Sequence, residues 1–192
     1  YLWRELQRHL AFLKHQGFVD EDDMLTEDGR WASKLRTDNP LLIAQGFRED
    51  LFPVADAAEM AAVTAVFTSE MSPDSDRLIA QRWTSKSLFK AYDHLKKGLQ
   101  PFVKDMAAHG FGTTHLVYRP AGIMYLWAKG FTWDEVRHIA DMEEGDLAQL
   151  IFRTADCLRH IATLTDVFPT AAEAAVTAIE LIMREPVITY YE

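Results

Sequence analysis

The residues whose types and spacing could do chemistry lie in EEGDLAQLIFRTADCLRHIA, residues 143–162. On a helical wheel at 100° per residue, Leu150, Ile151, Thr154, Leu158 and Ile161 fall within about 60° of Leu147 and form one apolar stripe. Gln149, Arg153, Asp156, His160 and Thr163 gather on the opposite side, flanked by Phe152 and Arg159. This strip is not the Glu/Lys mixture of a solvated helix face, and it carries an aromatic. Arg and His can donate hydrogen bonds and stack, and Gln and Asp can reach base edges. Phe152 offers a stacking surface, a contact that contributes roughly 1–3 kcal/mol per base. The set suits an extended single strand of nucleic acid. The competing reading is an ordinary amphipathic helix, with Arg153 paired to Asp156 or Glu143 and Phe152 packed on a neighbour.

Other chemistry finds little support. There is no G-x-x-x-x-G-K-[ST] loop for a nucleoside triphosphate, and no H-E-x-x-H, C-x-x-C or G-x-S-x-G motif. His109 and His115 are the closest candidates for a metal pair, but no third ligand is marked, so no metal site is expected. Glu143, Glu144 and Asp146 read as carboxylates favoured at a helix N-terminus rather than an acid/base pair. By itself the chain reads as neither an enzyme nor the holder of a cofactor.

Composition narrows the class further. With 48% hydrophobic and 26% charged residues, the chain has the make-up of a globular protein, and no apolar run reaches the roughly 20 residues a membrane span needs. One cysteine, Cys157, can form no internal disulfide, and a cytoplasmic setting is the expectation. The chain opens on Tyr1–Leu2–Trp3, already in helical register, as a fragment of a longer protein does. A net charge of −9 argues against a free-standing, non-specific nucleic-acid binder. Arg77–Arg119 nevertheless holds eight Lys/Arg against Asp93 and Asp105, a balance of +6 that leaves −15 elsewhere. That segment could face phosphates or simply be a solvated helix surface.

The positioning elements are mostly helices. Leu2, Leu6, Leu10 and Leu13 predict a helix over residues 2–16, stopped by Gly17. FVDEDDMLT predicts a minimal β-hairpin, and Thr26 caps TEDGRWASKL. Helices are then expected from Asp38–Asn39–Pro40, from Pro53, and from Leu78 to about His109, the last kinked or broken at Gly98 and Pro101. TSEMSPDSD, residues 68–76, is the best linker. A helix after Arg119–Pro120 closes at Gly130, and Thr132–Trp133–Asp134–Glu135 has the form of a capping box. Asp146 is expected to cap the helix over 146–165, and Phe168–Pro169 starts the last helix before a short extended tail, VITYYE. The expected architecture is mainly α: about seven or eight helices with one small N-terminal hairpin. A winged-helix-like portion, 1–37, precedes a bundle, 38–192.

Five segments occur in an order that resembles a known family: LTEDGRWASKL, PLLIAQGF, EMAAVTAVFTSE, GIMYLWAKGFTWDEV and EEGDLAQLIFRTADCLRHIA. They resemble the DSHCT domain, the C-terminal helical domain of superfamily-2 DExH-box helicases of the superkiller and exosome-cofactor type. That resemblance implies a single accessory domain in a longer polypeptide whose ATPase lobes bind ATP and Mg2+. It also implies a "ratchet" helix along the strand, with Arg153, Asp156 and Arg159 as contacts and Gly145–Asp146 at its start. The chain departs from the family's pattern at Gln149, where Arg is usual, and at Phe152, where a basic residue is frequent. The expected contact set is therefore Gln149, Phe152, Arg153, Asp156, Arg159 and His160. The implied partners are single-stranded RNA or DNA, the helicase lobes of the same polypeptide and further proteins. The rival readings are a protein-interaction module and a winged-helix regulator, the second disfavoured by the acidic hairpin tip Asp20–Asp23.

Overall fold

The computed structural model describes residues 1–74 and 83–191 and contains nine α-helices among them. They are α1 (Leu2–His15), α2 (Glu27–Ala32), α3 (Pro40–Arg48), α4 (Ala57–Thr68), α5 (Lys86–Ala108), α6 (Arg119–Ala128), α7 (Trp133–Ala140), α8 (Glu144–Ala162) and α9 (Pro169–Ile182). Among the described residues no helix is long and apolar enough to cross a membrane.

The sequence of α4, AAEMAAVTAVFT, is apolar on every side, and such a helix belongs inside. Every residue from Ala58 to Thr68 is buried, with α5, α6, α8 and α9 packed around it. Its alanines let neighbours approach closely, and the surrounding helices supply larger side chains, Leu88, Leu95 and Leu99 from α5 and Ile123 and Met124 from α6. The core continues to the C-terminal end through Trp127. This fully buried indole donates from Nε1 to Ile182 O at 2.7 Å, and the Arg184 guanidinium stacks 3.3 Å from its ring centroid. Burial lowers the Arg184 pKa, and its guanidinium also donates to Trp127 O and Phe131 O.

Several expected elements take a different form. The hairpin is absent: a single antiparallel bridge, Val19 to Leu25, is all that forms. The Phe18 and Val19 amides both donate back to Leu13 O at the end of α1, so they are withdrawn from any ladder. Asp20 Oδ1 meanwhile accepts from the amides of Asp22 and Met24, closing the acidic turn on itself. Without a wing, the winged-helix reading loses its defining part.

No break occurs at Gly98 or Pro101, because α5 runs unbroken through both. Gly98 is instead a point of close approach, where an added Cβ would lie 2.4 Å from Leu51 Cδ2. Pro101 is exposed between buried Leu99 and Phe102. The start expected at Leu78 lies outside the described residues, and α5 begins at Lys86 behind the Ser85 cap. Lys86, Lys90, Lys96, Lys97 and Lys104 stand on its exposed side. Likewise α4 begins at Ala57 under an Asp56 cap rather than at Pro53, and the tail forms a short 3-10 helix, Val187–Tyr191, rather than a strand. The Thr26 cap and the Thr132/Glu135 capping box form as expected.

Candidate nucleic-acid interface

α8 is aimed by a three-residue turn. Asp141 ends α7 in the left-handed region (φ 49°), which Asp tolerates better than most residues, and Met142 N bonds back to Arg137 O. The N-cap of α8 is Glu143 rather than Asp146. The Glu143 carbonyl accepts from Leu147 N, and Asp146 lies inside the first turn, where a carboxylate still favours the dipole. The stripe Leu147, Leu150, Ile151, Thr154, Leu158 and Ile161 is buried against α4 and α9. Thr154 Oγ1 donates to Leu150 O and meets Thr68 Oγ1 at 3.2 Å, tying α8 to the end of α4.

The opposite side remains at the surface. Gln149, Asp156 and Arg159 are exposed, while Phe152, Arg153 and His160 are half-buried. The competing partners for Arg153 are not the ones used. Its guanidinium bonds Asp38 Oδ2 at 2.6 Å and stands 3.5 Å from Glu70 Oε1. The hydrogen bond to Asp38 is the main reason its pKa is raised. His160 Nδ1 lies 3.3 Å from Lys34 O and its Nε2 lies 3.8 Å from Asp156. A hydrogen bond from Thr37 acts on Cys157, but burial dominates and pushes that thiol up to about 12. The link between α2 and α3, residues 33–39, thus lies along α8 and touches it at three levels. Phe152 packs against the core with part of its ring in contact.

Beside the first half of α8 opens a groove of about 390 Å³. Gln149, Arg153 and Asp146 line it together with Glu70, Arg119 and Asp141. Phe152, Asp156, Arg159 and His160 lie outside its lining. Glu143 joins the wall, so four carboxylates face two guanidiniums there, and the Arg119 guanidinium also donates to Ala140 O. Such a surface repels phosphates but presents acceptors and donors to sugars or bases. The sequence gives no local sign of Asp38, Glu70, Arg119 or Asp141 in this role. Asp38 is 115 residues from Arg153, and its position before Asn39–Pro40 suggests a cap. In fact Asn39 is the N-cap residue, without a side-chain cap bond, and its Nδ2 donates to Phe67 O.

The histidine expectation also changes. His109 meets His15, not His115, with Asp105 between them. The Asp-x-x-x-His spacing on α5 was the available signal for that cluster.

The chain is 26% identical over 195 residues to the DExH-box ATP-dependent RNA helicase DExH15 chloroplastic of Arabidopsis thaliana, covering 96% of this chain and 16% of that protein. It is 21% identical over 165 residues to mRNA transport homolog 4 of Caenorhabditis elegans, covering 82% of this chain and 15% of that protein. The chain thus spans about one-sixth of the length of either relative. The first relative is chloroplastic by name, so likeness to it carries no cytoplasmic assignment. A model of the DSHCT (NUC185) domain matches residues 22–189. Most of the chain is matched, from the α1–α2 turn to the terminal 3-10 helix, and the chain therefore belongs to the DSHCT family.

Proposed function

We propose that this chain is the C-terminal helical accessory domain of an ATP-dependent RNA helicase of the superkiller and exosome-cofactor type. ATP and Mg2+ would be bound by lobes elsewhere in the parent polypeptide. α8 would lie along the translocating single strand, and Gln149, Phe152, Arg153, Asp156, Arg159 and His160 would be its contacts. The observation that carries this reading is the exposed polar side of α8 running beside an open groove. The carboxylates at the Glu143–Asp146 end favour bases and ribose hydroxyls over phosphates, and phosphates would be met nearer Arg159. Arg153, held by Asp38 and Glu70, acts as a fixed donor rather than a mobile phosphate clamp.

The test is strand displacement by the full-length parent carrying Gln149→Ala and Arg159→Ala, both at exposed positions. The expected result is weakened RNA-stimulated ATPase activity and slower unwinding, with basal ATPase activity retained. Unchanged unwinding and unchanged RNA stimulation reject the assigned roles. A second reading, a protein-docking module, draws on α1, whose Leu2, Trp3 and Leu6 are 83%, 67% and 56% exposed. Nuclease-resistant capture of a defined protein through α1, abolished by Trp3→Asp and Leu6→Asp, favours that reading.

A further inference from the structure

On the face of the molecule formed by α1 and the last turns of α5, three metal-ligating side chains meet. Their neighbourhood is fixed by Phe12, which is buried (1% exposed) and packs edge-on against Phe102 at 5.6 Å and His109 at 5.2 Å. At the rim of this contact, His15 Nε2 lies 3.2 Å from Asp105 Oδ2, and His109 Nδ1 lies 3.4 Å from Asp105 Oδ1. One ligand atom from each of the three residues falls within 4.8 Å of the others. A tetrahedral Zn2+ with bonds of about 2.0–2.1 Å sets neighbouring ligand atoms about 3.3–3.4 Å apart, and each imidazole nitrogen stands near that distance from one Asp105 oxygen, His15 from Oδ2 and His109 from Oδ1.

We propose that His15, Asp105 and His109 form a surface site for one divalent transition-metal ion of the Zn2+ class, with water completing the shell. Two imidazoles select against Mg2+ and Ca2+, which prefer oxygen ligands. The supporting shell is present as well. Gln16 donates to Asp105 Oδ2, and the Phe12 ring holds the His109 ring in place. All three ligands are reachable from solvent, with side chains 57%, 28% and 33% exposed. His109 Nδ1 is 2.8 Å from Asp105 O. Coordination through that nitrogen uses the tautomer protonated at Nε2 and gives up the carbonyl contact. The ion would bridge α1, which precedes the family-matched residues 22–189, to the body of the domain.

The experiment titrates the metal-stripped chain with Zn2+ by calorimetry and with Co2+ by visible absorption. One ion per chain, cobalt d–d bands without thiolate charge transfer, and a Tm that rises with added Zn2+ are expected, since Cys157 is fully buried. His15→Gln, at an exposed position, lowers the affinity by more than the roughly 10–100-fold typical of losing a supporting hydrogen bond, and circular dichroism shows the fold intact. His115→Gln leaves binding unchanged. Absence of stoichiometric binding overturns the proposal, and so does equal affinity in His15→Gln or an equal loss in His115→Gln.

Discussion

Replacing Gly29 with Ala puts a methyl group where the fold has no room. The added Cβ would stand 2.0 Å from Phe18 O, 3.0 Å from Phe18 C and 3.1 Å from Leu25 Cδ2, so reaching an ordinary 3.4 Å contact with that oxygen takes a retreat of 1.4 Å. The obstacle is backbone, and it cannot swing away. Phe18 is 2% exposed beneath the Arg48 guanidinium, and its carbonyl accepts from Thr26 N at 3.1 Å. Moving α2 outward instead strains the cap in which Thr26 Oγ1 accepts from Gly29 N. Overpacking costs about 1–3 kcal/mol, a lost cap about 1 kcal/mol and a lost hydrogen bond about 1 kcal/mol, while Ala gains at most about 1 kcal/mol in helix propensity. The net expectation is a destabilisation of about 2–4 kcal/mol, a Tm drop of about 4–16 °C for a domain of this size. Urea unfolding with an unchanged m-value and thermal circular dichroism measure it. Gly145→Ala is the counterpart: an added Cβ meets nothing within 4 Å, so stability should stay level or rise by up to about 1 kcal/mol. A Gly29→Ala chain as stable as the parent would falsify the reasoning, because then the propensity gain has outweighed the clash.

Gly145→Ala in the full-length parent gives a companion result: slower strand displacement in a variant whose isolated domain melts normally assigns the bare backbone to ligand approach. Trp127→Phe removes the donor to Ile182 O and should cost about 1–3 kcal/mol in urea titration. Arg153→Met should cost at most about 1 kcal/mol in the isolated chain, because both partners of its ion pair with Asp38 are partly solvated and screened. Cys157 should resist alkylation in the native chain at pH 8 and label only on unfolding. Its folded pKa, about 12, lies above its ordinary 9.0, so this group's contribution is fully present below pH 9. It is lost as pH rises toward 12, by about 1.4 kcal/mol per unit, and pH-dependent urea unfolding follows that loss.

What could be read in the sequence was what depends on near neighbours. The buried stripe of α8 follows from spacing alone, as do the Thr26 cap and the Thr132/Glu135 capping box. The hairpin failed because β-pattern residues Phe18 and Val19 have amides already claimed by Leu13 O, a competition within six residues that alternation does not register. Gly98 was read as a helix breaker, whereas its role is to admit Leu51 from the segment between α3 and α4. At the candidate interface, the outward placement of Gln149, Asp156 and Arg159 followed from the wheel. The anchoring of Arg153 by Asp38 and of His160 by Lys34 did not, since those partners lie 115 and 126 residues away. The pairing of His109 with His15 rather than His115 was missed for the same reason: tertiary packing, not spacing, brings them together.

Because α4 has no side to offer to water, the domain cannot be finished piecemeal. The helices that cover it, α5, α6, α8 and α9, all follow it in the chain, and the last of them, α9, is made more than a hundred residues after α4 itself. A nascent chain that has passed residue 68 therefore carries an incompletely covered greasy rod until residue 182 has emerged. Deletions from the C-terminal side should yield sticky, chaperone-bound products rather than smaller working units.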